Sequence, residues 1–286
     1  MLIKYIFLIF LSFNNIKKTG SYPTVLMHGV LASKANMDEL KQLLEMNFKI
    51  EVYNMEVGNG VGTSLFTPMK SQLQILCDEI YKIDALKDGF NFIGMSQGGL
   101  LARGYVEYCN KYPVKNLITL ASPNGGVYYK TSIADNYYEP SQQASLSISN
   151  YWRDPYLYDV YLTNSTYLAQ LNKEIFSKNI NDLDVLDNFV MVWSPKDEVI
   201  MPPESGKLSL YYLDEFGQLV LSELRDSPVY KSGSLGLQKL DKENRLRIFQ
   251  TDCMHSQHKE AVCFHQLKPM FEEYLLSLKQ LSLNRL

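Results

Sequence analysis

The stretch Gly94-Met95-Ser96-Gln97-Gly98 lies between a strand-like run, Phe90-Asn91-Phe92-Ile93, and a helix-like run over 100–108. A serine on so tight a strand-to-helix turn holds its hydroxyl beyond the sheet edge, with N–H groups of the following helix pointing into the same space. The flanking glycines have a steric task, because strand and helix backbones pass too closely there for a Cβ. The motif alone is weak: at average usage of about 7% Gly and similar Ser, it arises by chance in roughly one chain in ten of this length. Its surroundings have to carry the inference.

Those surroundings alternate. Residues 22–27 read as a strand ending in His28-Gly29-Val30, and 48–53 as another, followed by a glycine-rich loop at 58–62 and a helix over 67–83. In that helix Met69, Leu73, Leu76, Ile80 and Ile83 recur at steps of three and four, which gives one apolar face. The Ser96 strand, its helix and a strand over 115–121 complete a βα alternation, the pattern of a mainly parallel sheet flanked by helices. Over 122–187 the alternation lapses into Asn-, Tyr- and Ser-rich sequence with short helical pieces, including 165–174 behind an Asn164 cap. This region reads as an insertion over the carboxyl edge of the sheet, after the strand that follows the Ser96 helix. Strands resume at 189–193 and 245–251, with an irregular excursion over 208–224 between them and a closing helix over 265–281.

Bulk properties narrow the function classes. The 286 residues suit one α/β domain, 21–286, and a net charge of −3 without any basic stripe argues against a nucleic-acid partner. In 1–20 a single Lys4 precedes an apolar run from Tyr5 to Phe13, too short for a stable membrane span and suited to a signal peptide cleaved between Asn14 and Ser21. Export predicts an oxidising compartment, with which the four cysteines Cys77, Cys109, Cys253 and Cys263 agree. Three pairings are open; one of them would staple the helices on either side of Ser96 and leave Cys253 and Cys263 to close a short loop. The sequon Asn164-Ser165-Thr166 also fits export.

A serine hydroxyl is a poor nucleophile unless a base lies within hydrogen-bond reach and a third group orients that base. In α/β-hydrolases the chain order is nucleophile, acid, histidine, each at the carboxyl end of a strand. Here Ser194-Pro195-Lys196-Asp197-Glu198 follows one late strand and Asp252-Cys253-Met254-His255 the other. His255 is the candidate base. His28 precedes Ser96 and shapes a turn without a chemical step, while His258 and His265 read as solvated histidines on a helix or its approach. Asp197 is the candidate acid, aimed back by the Pro195 turn, with Glu198 its rival. Two backbone donors would receive an oxyanion, the N–H of Gln97 and that of Val30.

With these residues placed, the chain resembles the palmitoyl-protein thioesterase family, nearest to its palmitoyl-protein thioesterase 2 (lysosomal thioesterase) branch. The resemblance is carried by His28-Gly29-Val30, by Gly94 to Leu100 with Arg103, by the run from Leu120 to Tyr128, by Ser149-Asn150-Tyr151-Trp152-Arg153-Asp154-Pro155 with Tyr161-Leu162, and by Asp197-Glu198-Val199-Ile200. The 149–162 stretch is the most specific, since nothing in hydrolase chemistry alone requires it. The resemblance implies an α/β-hydrolase fold, with Ser96 as nucleophile, Asp197 as acid, His255 as base and a disulfide at Cys77 and Cys109. The stretch between Cys253 and His255 is shorter than the family's. The implied activity is cofactor-free and metal-free hydrolysis of long-chain fatty acyl thioesters in a lysosome-like compartment or outside the cell. Tyr151, Trp152, Tyr167 and Leu168 are candidate walls of an acyl groove. An oxygen-ester lipase or carboxylesterase could use the same triad, and an idle, secreted lipid-binding module is the reading from another class.

Overall fold

The computed structural model describes residues 21–131, 134, 136–176 and 181–276. The expected signal peptide, 1–20, and the end of the expected closing helix lie outside them. In chain order the larger elements are β1 (Thr24–Met27), α1 (Asp38–Phe48), β2 (Val52–Met55), α2 (Val61–Phe66), α3 (Met69–Ile80), β3 (Phe90–Met95), α4 (Gln97–Gly104) and β4 (Val114–Leu120). Three short helices follow, α5 (Pro140–Gln143), α6 (Tyr158–Asn164) and α7 (Leu168–Leu171). Then come β5 (Asn188–Trp193), β6 (Leu210–Leu213), β7 (Leu219–Ser222), α8 (Pro228–Lys231), α9 (Leu237–Lys242), β8 (Leu246–Gln250) and α10 (Ala261–Leu275).

Six strands form one parallel sheet in the order β2-β1-β3-β4-β5-β8. β3 is buried along its whole length, and β5 from Phe189 onward, because both faces of the sheet are covered. On one face Leu40, Leu44 and Phe48 of α1 pack with Phe264, Leu267 and Phe271 of α10. On the other face α3 and α4 pack with Phe90, Phe92 and residues of the insertion. This is the α/β-hydrolase architecture.

Several local expectations change. Phe48 closes α1 rather than opening a strand, and the chain turns there through Lys49 in a left-handed conformation (φ 54°) before β2 starts at Val52. The glycine-rich loop runs directly into α2, which the sequence did not announce. Asn164 is the last residue of α6 instead of a cap, so the expected 165–174 helix shrinks to α7. The excursion over 208–224 contains an antiparallel hairpin, β6 with β7, whose turn is set by Asp214 Oδ1 accepting the N–H groups of Phe216 and Gln218.

Both cysteine pairs are bonded, Cys77 with Cys109 and Cys253 with Cys263. The first joins α3 to the π-helical turn that ends the Ser96 helix, Tyr105–Cys109. A wholly buried pair lies one turn earlier: Arg103 donates to the carbonyls of Asn124 and Leu171 and sits 3.4 Å from Glu107. Burial pushes the Glu107 carboxyl up to about 8 against the attraction of Arg103. Between the ordinary 4.5 and that value the folded chain keeps a proton that the unfolded chain releases, so stability falls as pH rises through the window. Glu107→Gln should remove this slope. Thermal melts from pH 5 to pH 8 are expected to show the variant gaining on the parent as pH rises.

Candidate active site

Ser96 alone makes the turn between β3 and α4, with φ 54° and ψ −129°, a conformation that side-chain-bearing residues rarely adopt. Hydrogen bonds hold it there. Its N–H donates to Leu120 O at 2.9 Å, and the Gly99 N–H returns to Ser96 O at 2.9 Å. A Cβ on Gly94 would lie 2.4 Å from Gly98 O, and one on Gly98 would lie 2.4 Å from the carbonyl oxygens of Met27 and His28. The backbones of β3, α4 and the end of β1 therefore touch only because these two positions carry no side chain.

The next loop comes as close. A Cβ on Gly29 would stand 2.9 Å from Ser96 Cβ and 3.3 Å from Ser96 Oγ, so the peptide from Gly29 to Val30 lies against the hydroxyl. His28 is buried beside it with Nδ1 2.8 Å from Gly29 O. Burial lowers the His28 pKa, so the ring is neutral and its Nδ1–H donates to that carbonyl. The carbonyl and the Val30 N–H are opposite ends of one rigid plane, and holding one end sets the direction of the other.

Asp197 and His255 meet. His255 Nδ1 lies 3.0 and 2.9 Å from the two carboxylate oxygens of Asp197, and Oδ1 also accepts the N–H groups of Val199 and Ile200 at 2.9 Å each. Burial works to raise the Asp197 pKa, but the hydrogen bond and charge of His255 and the two N–H groups outweigh it and hold the carboxyl below its ordinary value. An ionised carboxylate only accepts, so Nδ1 carries a proton, and in a neutral imidazole Nε2 is then the acceptor. The rival acid, Glu198, turns elsewhere: its Oε2 accepts the backbone N–H of His255 at 2.9 Å.

The loops bearing Ser96, Asp197 and His255 leave the same edge of the sheet. Met95, Leu120, Val192 and Phe249 are register partners on successive strands, so the three loops start level with one another. At about 4.8 Å per strand the Ser96 and Asp197 loops are rooted roughly 10 Å apart, a gap their side chains and the His255 loop can close. Ser96 and His255 are 7% and 9% exposed, and both reach solvent. Among the described residues no hydrogen bond joins the Ser96 hydroxyl to the imidazole.

Other expectations fare differently. His265 is exposed on α10, but His258 is fully buried, contrary to the reading of a solvated histidine. The signal for burial was its i+3 spacing from His255, which within a 3-10 turn puts the ring back over that residue's carbonyl. Tyr151, Trp152, Tyr167 and Leu168 are all buried in the core beneath α4 and the insertion. Tyr167 is fixed by its hydroxyl donating to Leu100 O at 2.9 Å. Trp152 packs edge-on behind Tyr128 and Tyr129, centroids 5.8 and 5.1 Å away. It is those two tyrosines, with Tyr156, Met201, Pro202 and Tyr211, that line an open trench of about 670 Å³. The trench begins next to the Asp197 loop, where the Tyr128 N–H donates to Met201 O at 2.8 Å. Asn164 is exposed, with its amide 3.3 Å from Tyr138 O.

Fold and site together define an α/β-hydrolase. In agreement, the palmitoyl protein thioesterase family model matches residues 23–255. Palmitoyl-protein thioesterase 3 of Dictyostelium discoideum is 36% identical over 92% of this chain and 93% of its own length. The lysosomal thioesterase PPT2-B of Xenopus laevis is 30% identical over 79% of this chain and 83% of its own. Among solved structures, a monoacylglycerol lipase from Paleococcus ferrophilus shares the fold with a TM-score of 0.53 at 15% identity, over 89% of this chain and 95% of its own. The chain belongs to the palmitoyl-protein thioesterase family and is an enzyme of the thioesterase class.

Gly98→Ala puts a methyl into two carbonyl oxygens that have no room to retreat. It should cost about 3 kcal/mol or more of stability, at the upper end for single substitutions. Urea unfolding with the disulfides intact measures this, and a loss below 1 kcal/mol would refute the close contact of the three backbones.

Proposed function

We propose that this protein hydrolyses long-chain fatty acyl thioesters through an acyl-enzyme on Ser96, with His255 as general base and Asp197 orienting it. The observation that carries the reading is the ionised Asp197 holding His255 by Nδ1, on the sheet edge where Ser96 is kept in its strained turn. Ser96 Oγ attacks the thioester carbonyl carbon, its proton passes to His255 Nε2, and the carbonyl electrons move onto oxygen. The N–H groups of Gln97 and Val30 receive that oxyanion; losing one such donor typically costs about 10²–10³ in rate. Collapse of the intermediate breaks the C–S bond, and the departing sulfur takes the proton from His255. A thiol with a pKa of about 8.5 leaves readily, so little acid strength is asked of the imidazolium. Water, giving its proton to His255, then attacks the acyl carbon. The ester C–O bond breaks, Ser96 regains a proton and the fatty acid departs.

The trench beside Met201 and the tyrosines supports a long acyl chain. Each methylene taken out of water contributes about 0.8 kcal/mol, and a volume of about 670 Å³ is within the usual range of roughly 300–1,000 Å³ for ligand sites. In this reading the 122–187 insertion exists to build that surface, with Trp152 and Tyr151 supporting its walls from behind. Two disulfides, the exposed sequon asparagine and the lysosomal thioesterases among the relatives support entry to the secretory pathway through a signal within 1–20, ending in a lysosome-like compartment or outside the cell.

Ser96→Ala is expected to lower kcat/KM on palmitoyl-CoA by about 10⁴-fold or more. On the parent enzyme kcat/KM should rise with acyl-chain length from eight to sixteen carbons and exceed that on a matched oxygen ester. Activity surviving in Ser96→Ala would discard the mechanism, and a strong preference for the oxygen ester would make the protein an esterase instead.

A further inference from the structure

Resting on the reading of His255 as the base, we infer that His258 and Glu198 are positioning residues: together they clamp the His255 backbone from both sides and so place its imidazole. Glu198 Oε2 accepts the His255 N–H at 2.9 Å, and His258 Nδ1 lies 3.1 Å from the His255 carbonyl oxygen. His258 is itself fastened to the end of β8, its Nε2 lying 2.8 Å from Thr251 Oγ1. With Nδ1–H donating to the His255 carbonyl and Nε2 accepting from the Thr251 hydroxyl, a neutral His258 uses both nitrogens and meets both short contacts, and only the longer approach of that hydroxyl to Trp193 O, 3.5 Å, goes without a proton. Burial, which lowers the His258 pKa, favours that neutral ring. A neutral neighbour also places no charge beside the imidazole that has to take up the Ser96 proton.

The rest of the loop shows why a clamp is required. Its other N–H groups are held by side chains from different elements, Asp252 by Gln266 Oε1 at 3.0 Å and Met254 by Gln257 Oε1 at 2.8 Å, while the Cys253–Cys263 bond anchors it to α10. None of these contacts reaches His255 itself. Asp197 controls only the ring, leaving the backbone of the base free to pivot unless its own N–H and carbonyl are caught. Glu198 comes from the β5 loop and His258 from the β8 side, so the clamp also locks the acid's loop to the base's loop. A displacement of about 1 Å at a catalytic group can cost 10²-fold in rate.

The test uses the full chain with disulfides intact. His258→Leu is expected to lower kcat on palmitoyl-CoA at least tenfold with KM within twofold of the parent. His258→Asn should recover most of the loss, because its amide can still donate to the His255 carbonyl. Glu198 is exposed and its replacement does not threaten folding, so Glu198→Leu against Glu198→Gln decides the matter even if His258→Leu fails to fold. The leucine should lose severalfold in kcat and the glutamine little. A readout independent of catalysis is the His255 Nδ1 proton, hydrogen-bonded to Asp197 and visible downfield by NMR. It should broaden or vanish in His258→Leu and Glu198→Leu and persist in His258→Asn and Glu198→Gln. Unchanged kcat and an unchanged proton signal in both leucine variants overturn the clamp, as does a loss in His258→Leu that asparagine does not recover. Ser96→Ala assayed alongside separates the two ideas, since residual activity there sinks the serine mechanism while the proton signal still judges the clamp.

Discussion

The contact among three stretches of bare backbone governs everything at the carboxyl edge of the sheet. Where β3 gives way to α4, the carbonyls of Met27 and His28 lie against Gly98, and Gly98 lies against Gly94. Strain of the kind stored at Ser96 costs on the order of 1–3 kcal/mol and persists only where the surroundings over-determine it. Here the determination comes from the sheet register, from two backbone hydrogen bonds and from the absence of side chains at the points of approach. The same closeness brings the Gly29–Val30 peptide against the serine hydroxyl, so the oxyanion donors and the nucleophile proposed here arise from one packing event.

The second structural theme is the burial of charge behind that edge. Arg153 is enclosed with Glu174, donates to Tyr211 O at 2.7 Å, and has the rings of Tyr158 and Tyr212 within 5 Å of its guanidinium. Leaving one member of such a pair unpartnered costs about 3–5 kcal/mol, so the pair cannot be altered piecemeal. This accounts for the distinctive 149–155 run: its arginine ties the insertion to the β6–β7 hairpin, and its aromatic residues back the trench. Arg103 plays the corresponding part on α4, reaching the loop after β4 and the end of α7. Its partner Glu107, pushed up by burial, contributes stability that is lost as pH rises.

Much of this was legible before any coordinates. The parallel sheet could be read because buried strands are short apolar runs and α3 shows a three-to-four-residue repeat between them. Ser96, Asp197 and His255 could be picked out as candidates because strand ends and chain order leave a limited number of loops at one sheet edge. Other elements were opaque for identifiable reasons. α1 carries a narrow apolar stripe in a mostly polar segment, so Phe48 looked like the start of a strand. α2 is a single turn and a half born from a glycine-rich loop, with only Ser64 buried, and its anchor is the Gln97 amide donating to Ser64 O at 2.8 Å. Such an anchor is a contact across thirty-odd residues that no local pattern announces.

Local chemistry therefore settled which elements form and which residue types stand at the loop ends, since backbone propensity, periodicity and glycine placement act over a few neighbours. Three-dimensional packing alone decided where the side chains went. It buried His258 against the backbone of its neighbour, turned Glu198 from a rival acid into a support, and moved the trench lining from Tyr151 and Trp152 to Tyr128 and Tyr129 in front of them. Those outcomes depend on which surfaces meet across the sheet edge, and chain segments far apart in order meet there only after the fold has closed.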